Sequence, residues 1–292
     1  MITNSIIEGS DSYGIVADNT SAYTNITNNI IRTNDYGIVI AGDFVDVSNN
    51  IITGNTTAGV SATGWGEDAT ITGNTFFSNG TYGVYVSGTG FDTNNNVTIS
   101  GNEFKTHTNG VYLNNTKQEA VVGNTIFQYS TSAGQYGVYI TGASADPADK
   151  NLISSNVITG YTDAGDVGIY LANSNVTNNI LSYNSFSTNE TDITDNGANT
   201  QITNANNGNL GIGDATPDDA LDIDGAKLGY NFLFGSSGIT FSTSGTSGIN
   251  VDTFGQLSLT SNQGAASALE LIATAGGIDI STGSGTGDID IL

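Results

Sequence analysis

Residues 73–88 read GNTFFSNGTYGVYVSG, and the fold follows from how often that phrase returns. Variants begin at Asn28 (NNIIRTNDYGIVIAG), Asn49 (NNIITGNTTAGVSATG) and Gly101 (GNEFKTHTNGVYLNN). Two more begin at Gly123 (GNTIFQYSTSAGQYGVYITG) and Ser155 (SNVITGYTDAGDVGIYLAN). Each has an Asn, a short apolar step, a polar stretch, a Gly, and then Val or Ile alternating with another residue. The opening asparagines are Asn4, Asn29, Asn50, Asn74, Asn102, Asn124, Asn156 and Asn179. The glycines before the apolar pair are Gly14, Gly37, Gly59, Gly83, Gly110, Gly137 and Gly168. The two series interleave, which marks about eight coils of a repeat architecture before residue 205.

A unit of this length, made of short strands and turns, buries its apolar face only by stacking on its neighbours. The L-x-x-L-x-L signature of leucine-rich repeats is missing, which leaves a parallel β-helix. Alternation along a strand separates inward from outward side chains. The column two residues after each Asn is apolar and reads as core: Ile6, Ile31, Ile52, Phe76, Phe104, Ile126, Ile158 and Leu181. A second core pair follows each Gly, as in Val84 and Val86, Val111 and Leu113, Val138 and Ile140, Ile169 and Leu171. The opening Asn is expected in a left-handed bend, which that residue type tolerates.

Composition agrees with an all-β chain. The 292 residues include 39 glycines, 2 prolines and no cysteine, so disulfides and thiolate metal sites are excluded. Against 28 Asp and Glu stand only 5 Lys and Arg, a net charge of −23. Such a chain repels phosphate backbones and anionic lipid, so no nucleic-acid partner and no membrane insertion are expected. No apolar stretch is long enough for a membrane span, and the first residues do not read as a signal peptide.

The repeats resemble the right-handed parallel β-helix proteins, among them pectate lyases, polygalacturonases and viral tailspikes. That resemblance covers residues 1–205 and speaks to architecture, since the fold hosts enzymes, adhesins and spacers. After it, GNLGIGDATPDDALDIDG (residues 208–225) resembles a segment of bacteriophage tail fibres. Gly208, Asn209, Gly211, Ile212, Gly213, Pro217, Leu221, Ile223 and Gly225 carry the match, while Leu210 and Asp214 depart from it. Short alternating strands with Gly or Ser turns run on to Leu292. The resemblance implies that residues 206–292 form a fibre-like, intertwined trimerisation region. Both ends of the chain also stop in mid-repeat, which suggests docking on other subunits or a longer parent.

Outward positions supply the candidate sites. Tyr85, Tyr112, Tyr139 and Tyr170 form one column, a large apolar stripe suited to subunit contact, to a glycan or simply to stacking on itself. Glu103, Lys105 and His107 alternate along one strand and are expected to face outward together. Neighbouring coils would set Phe77 and Phe127 beside Lys105, and Asn79 and Tyr129 beside His107. This is a sugar-binding or acid–base patch, or merely a lysine between two rings, worth roughly 0.5–1 kcal/mol. Asp214, Asp218, Asp219, Asp222 and Asp224 do not satisfy the calcium-loop signature, so no metal and no cofactor is assigned. Eight N-x-[ST] sequons occur, for example at Asn55, Asn79 and Asn114.

The resulting reading is a structural or adhesive fibre protein at an extracellular or virion surface. Its β-helix would act as shaft or glycan-binding head on a homotrimeric stalk, bearing on cell-surface glycans through avidity. The alternatives are a tailspike-like polysaccharide hydrolase or lyase, with acids such as Glu67, Asp68 and Asp92 gathered between chains, and a subunit of an end-to-end filament. An ice-binding solenoid is disfavoured because no flat T-x-T ladder is present.

Overall fold

Single residues in the left-handed region close the corners of every coil, and they recur in columns. The computed structural model describes residues 1–64, 68–88, 96–206, 209–212 and 221–223, which all fall in a unit from Met1 to Leu228. The expected trimerisation region lies almost wholly outside these residues.

Among the described residues three parallel sheets wrap one core, with eight strands each in the second and third. The second runs from Ile6–Glu8 to Ser185–Ser187 and the third from Tyr13–Ala17 to Thr191–Asp195. The first begins at Ile2–Thr3 and its parallel run reaches Gln201–Asn206. Gln201–Asn206 then pairs antiparallel with Asn209–Ile212, which pairs parallel with Leu221–Ile223. The chain is thus an all-β parallel β-helix of about eight coils.

Between the first and second sheets the bend falls on Asn28, Asn49, Gly73, Gly101, Gly123, Ser155 and Tyr183, with φ from 54° to 67°. A left-handed residue other than Gly costs of order 1–2 kcal/mol. What offsets that cost is the residue that follows. Asn29, Asn50, Asn74, Asn102, Asn124, Asn156 and Asn184 are all buried and point into the corner. Asn74 shows the arrangement: its Oδ1 accepts the backbone N–H and the side-chain N–H of Asn50 at 2.9 and 3.0 Å. Its own Nδ2 donates to Asn102 Oδ1 at 3.0 Å and to the Val47 carbonyl at 2.8 Å. Each amide therefore satisfies buried groups of adjacent coils, as interior polar groups must be satisfied.

This corrects the sequence reading, which put the opening Asn in the bend. The bend residue projects outward and accepts Gly, Ser or Tyr; the next position needs an inward amide. Only Asn4 takes the bend itself, at φ 54°, and Ser5 fills the ladder place by donating its N–H to Asn29 Oδ1. The register at both ends shifts accordingly. Ile6 is 61% exposed, and its neighbour Ile7 is the residue aligned with Ile31. Asn179 belongs to a separate corner ladder leading into the first sheet, so Leu181 is buried there and Phe186 takes the second-sheet core place.

The core is otherwise the expected one. Ile31, Ile52, Phe76, Phe104, Ile126 and Ile158 have no exposed surface, nor do the four Val, Ile and Leu pairs of the third sheet. Burying each such side chain stabilises by about 1.5–3 kcal/mol. Phe76 and Phe104 stack with centroids 4.7 Å apart.

The ladder leading into the first sheet contains one acid. Glu119 stands where Asn151 and Asn179 stand in the next two coils, and its N–H donates to Asn151 Oδ1. Its Oε2 accepts the Val97 N–H, while Oε1 has no hydrogen-bond partner. Burial pushes the carboxyl up to about 8 from 4.5, against the Val97 bond, which lowers it. The folded protein therefore holds a proton that the unfolded chain releases above pH 4.5. Stability contributed by this group is present below that pH and is lost as pH rises towards 8. Glu119→Gln keeps the shape without the charge. In urea unfolding at pH 5 and pH 8 it should erase part of the wild-type loss; a variant that tracks the wild type at both values would refute this placement of the proton.

Candidate functional site

The outward face of the third sheet is paved with tyrosine, and a glycine column makes that possible. A Cβ on Gly83 would come 2.5 Å from the carbonyl oxygen of Gly110 in the next coil, so the strands close up only with Gly there. Tyr82 and Tyr85, on either side of that glycine, face the same way although they lie three residues apart, with ring centroids 4.9 Å apart.

Two columns result. The inner column is the one expected from alternation: Tyr85, Tyr112, Tyr139 and Tyr170 are aligned partners in successive strands. Their centroids lie 5.6, 4.7 and 5.2 Å apart, and Tyr112 and Tyr139 are within 4° of parallel. The outer column holds Tyr13, Tyr36, Ala58, Tyr82, Asn109, Tyr136 and Val167. Strict alternation would turn Tyr82 and Tyr136 inward with Val84 and Val138, so sequence reasoning missed them. The signal was the Tyr-Gly pair at 13–14, 36–37, 82–83 and 136–137.

Desolvation raises the phenols of Tyr36, Tyr82, Tyr136 and Tyr139, and neighbouring phenols add to it; Tyr112 is pushed up to about 12. These phenols are neutral at pH 7, so the tyrosines offer aromatic surface and hydroxyls together. None of the eight third-sheet strands contains Lys or Arg.

The second candidate patch is on a different sheet. Phe77, Lys105 and Phe127 are aligned in consecutive strands, as the repeat required. Lys105 Nζ is engaged by Glu103 Oε1 at 2.6 Å. Phe127 stacks on the exposed Tyr129 at 5.5 Å. His107 does not join them: it is 3% exposed and packs beneath the sheet, with its ring edge-on to Phe104. The bend at Thr106, φ 60°, ends the strand at Lys105 and reverses the alternation on which an outward His107 rested.

His107 instead continues a second asparagine ladder, Asn34, Asn55 and Asn79, in the corner before the third sheet. Its Nδ1 lies 2.9 Å from the Asn79 carbonyl and Nε2 lies 3.4 Å from that of Phe76. A neutral ring has one N–H, and the nearer carbonyl takes it. Burial lowers the ring to about 4, outweighing the two backbone contacts that raise it. Asn55 and Asn79, both buried in this ladder, are not accessible as glycosylation sites in the folded protein. Of the acids proposed to gather between chains, Glu67 and Asp92 lie outside the described residues. Among the described residues no three His, Asp or Glu side chains are grouped as a cation site.

Comparison with known proteins supports the architecture. The family described as right handed beta helix region matches residues 1–76, and the family described as periplasmic copper-binding protein (NosD) matches residues 68–210. Comparison with curated proteins returned no match. Among solved structures, the A-module of the Azotobacter vinelandii mannuronan C-5 epimerase AlgE6 superposes with a TM-score of 0.56 at 19% identity, covering 70% of this chain and 57% of that one. A double mutant of the periplasmic alginate epimerase AlgG gives a TM-score of 0.39 at 16% identity over 67% of this chain and 42% of that one. The chain spans about half the length of these structures. The likeness is one of fold: a right-handed parallel β-helix.

His107 sets an acid limit on stability. A ring lowered from 6.5 to about 4 contributes stability that is complete above pH 6.5 and is lost as pH falls through 4. His107→Asn restores the ladder amide and removes the titration. Thermal unfolding between pH 7 and pH 4 should show the wild type losing ground to this variant as pH falls; a constant difference would contradict a buried neutral histidine.

Proposed function

We propose that this right-handed parallel β-helix is a non-catalytic, extracytoplasmic structural protein that holds polysaccharide on the tyrosine face of its third sheet. One observation carries the reading. Six half-buried tyrosines, Tyr82, Tyr85, Tyr112, Tyr136, Tyr139 and Tyr170, form a continuous aromatic surface across four adjacent strands. Sugar rings present C–H faces and hydroxyls, which such a surface meets with aromatic faces and phenolic groups. A flat, ordered surface also loses little conformational freedom on binding. Copies gathered through a trimeric region in residues 206–292 would turn weak contacts into firm attachment.

Two properties named among the similar proteins were tested against these residues. Copper favours Cys, Met and His ligands. This chain has no Cys, a single Met and a single His, and both ring nitrogens of that buried His107 face backbone carbonyls. The residues do not fit a copper centre. Mannuronan, named for the AlgE6 module, is a uronate polymer, and a face without cations gives it no counter-charge. The extracytoplasmic location rests on the periplasmic description of the family matched over residues 68–210.

Affinity electrophoresis of the full chain in gels containing single polysaccharides tests the reading. Retardation should appear with at least one polymer, and Tyr112→Ala should weaken it roughly five- to tenfold, the size of a lost aromatic contact of about 1–1.4 kcal/mol. Tyr129→Ala, beside the second sheet, should leave it intact. No retardation with any polymer, or equal loss from both variants, would defeat the proposal.

A further inference from the structure

One position in the tyrosine face is not aromatic. Asn109 stands in the outer column between Tyr82 and Tyr136 by register. Those two tyrosines pack on different pairs of the inner column. Tyr82 packs on Tyr85 and Tyr112 at 4.9 and 5.1 Å, and Tyr136 packs on Tyr139 and Tyr170 at 4.9 and 5.1 Å. The same three-ring group thus occurs twice, two coils apart, with Asn109 between the copies.

Asn109 is 6% exposed, and its amide is only half used. Nδ2 donates to the Thr81 carbonyl at 3.4 Å, whereas Oδ1 has no donor. A buried carbonyl oxygen left without a partner is destabilising. Folding does not require that cost. Ala58 holds the equivalent place one coil beyond Tyr82, and Val167 holds it one coil beyond Tyr136. By register this unmet acceptor lies between Tyr82 and Tyr136, where a molecule on the tyrosine face that brings an O–H could meet it.

The charge of the surroundings narrows that molecule. No Lys or Arg lies on the third-sheet strands, and the whole chain carries −23. The sheet's last strand, Thr191–Asp195, adds two aspartates at its edge. An anionic sugar would bring a carboxylate towards an acceptor, with no cation to offset it.

We infer that Asn109 Oδ1 accepts a hydroxyl of a neutral sugar seated against Tyr82 and Tyr136, and that this face selects uncharged glycans over uronate polymers. The inference rests on the glycan-binding reading of the tyrosine face and assigns its ligand class and specificity residue. Oδ1 is buried in the unliganded chain, so a ligand reaches it only where the flanking side chains yield. A site built to pair with a hydroxyl discriminates strongly, because its polar group is left bare when the hydroxyl is missing.

The experiment uses the full chain in affinity gels with galactomannan, xyloglucan and dextran as neutral probes, and alginate and polygalacturonate as anionic ones. Wild type should be retarded by a neutral probe and by neither uronate. Asn109→Ala should weaken that retardation by about tenfold, equivalent to 1.4 kcal/mol. It should do so with an unchanged circular dichroism spectrum and an unfolding midpoint close to wild type, since the unpaired acceptor it deletes offsets the long Nδ2 bond to Thr81 that goes with it. Retardation by a uronate equal to or stronger than by any neutral probe overturns the inference, as does an Asn109→Ala variant that binds within twofold of wild type. Those outcomes leave the glycan-binding reading standing, whereas silence with all five probes removes both.

Discussion

Everything in this protein depends on the stacking of one coil on the next through buried side-chain amides. The left-handed bends turn the chain sharply enough to close a coil of short strands, but each costs free energy and strips backbone groups of water. The asparagine after the bend answers both costs: it bridges buried groups of adjacent coils with two donors and one doubly used acceptor. Repetition then becomes self-enforcing, because a slip of one residue would break every rung of the ladder and turn the core outward. The sites where the ladder changes residue type, Glu119 and His107, are therefore where pH enters the stability of the fold.

The same register produces the functional surface. Parallel, in-register stacking places like residues above like, so a tyrosine at one position of a repeat becomes a column of tyrosines. The glycine column adds a second effect. It lets neighbouring backbones approach, and the tyrosines that precede Gly83 and Gly137 join the aromatic face, which widens from one column to two. No catalytic apparatus is needed for such a surface to act; order and exposure suffice. The Lys and Arg of the described residues lie elsewhere: Arg32 pairs with Glu8 and Lys105 with Glu103 on the second sheet, while Lys117 and Lys150 lie beside Asp146 and Asp149.

Much of this was legible in the sequence. The Asn and Gly series gave the coils, and alternation gave Tyr85, Tyr112, Tyr139 and Tyr170 their common face. What alternation could not give were the exceptions to it. Asn28 and Asn29 are the same residue type in adjacent places, and only φ distinguishes the bend from the ladder. His107 follows a bend that composition does not announce, since Thr106 is an unusual left-handed residue. Tyr82 and Tyr136 needed the consequence of close backbone approach at Gly83 and Gly137, which is a packing effect between coils. Asn109 was invisible for a similar reason, because an unsatisfied acceptor is defined by its neighbours. The fibre-like reading of residues 206–292 rests on resemblance, with only short strands of its opening segment described.

The central claim is that the stacked, cation-free tyrosine face on the third sheet is the surface by which this protein holds glycan. Hydroxyl-radical footprinting of the full chain with and without a bound galactomannan tests it at single residues. The account predicts protection of Tyr82, Tyr112, Tyr136 and Tyr139, with Tyr23, Tyr129 and Tyr183 labelled equally in both states. Protection centred on Phe77, Phe127 and Tyr129, or no protection on the third sheet, would contradict it.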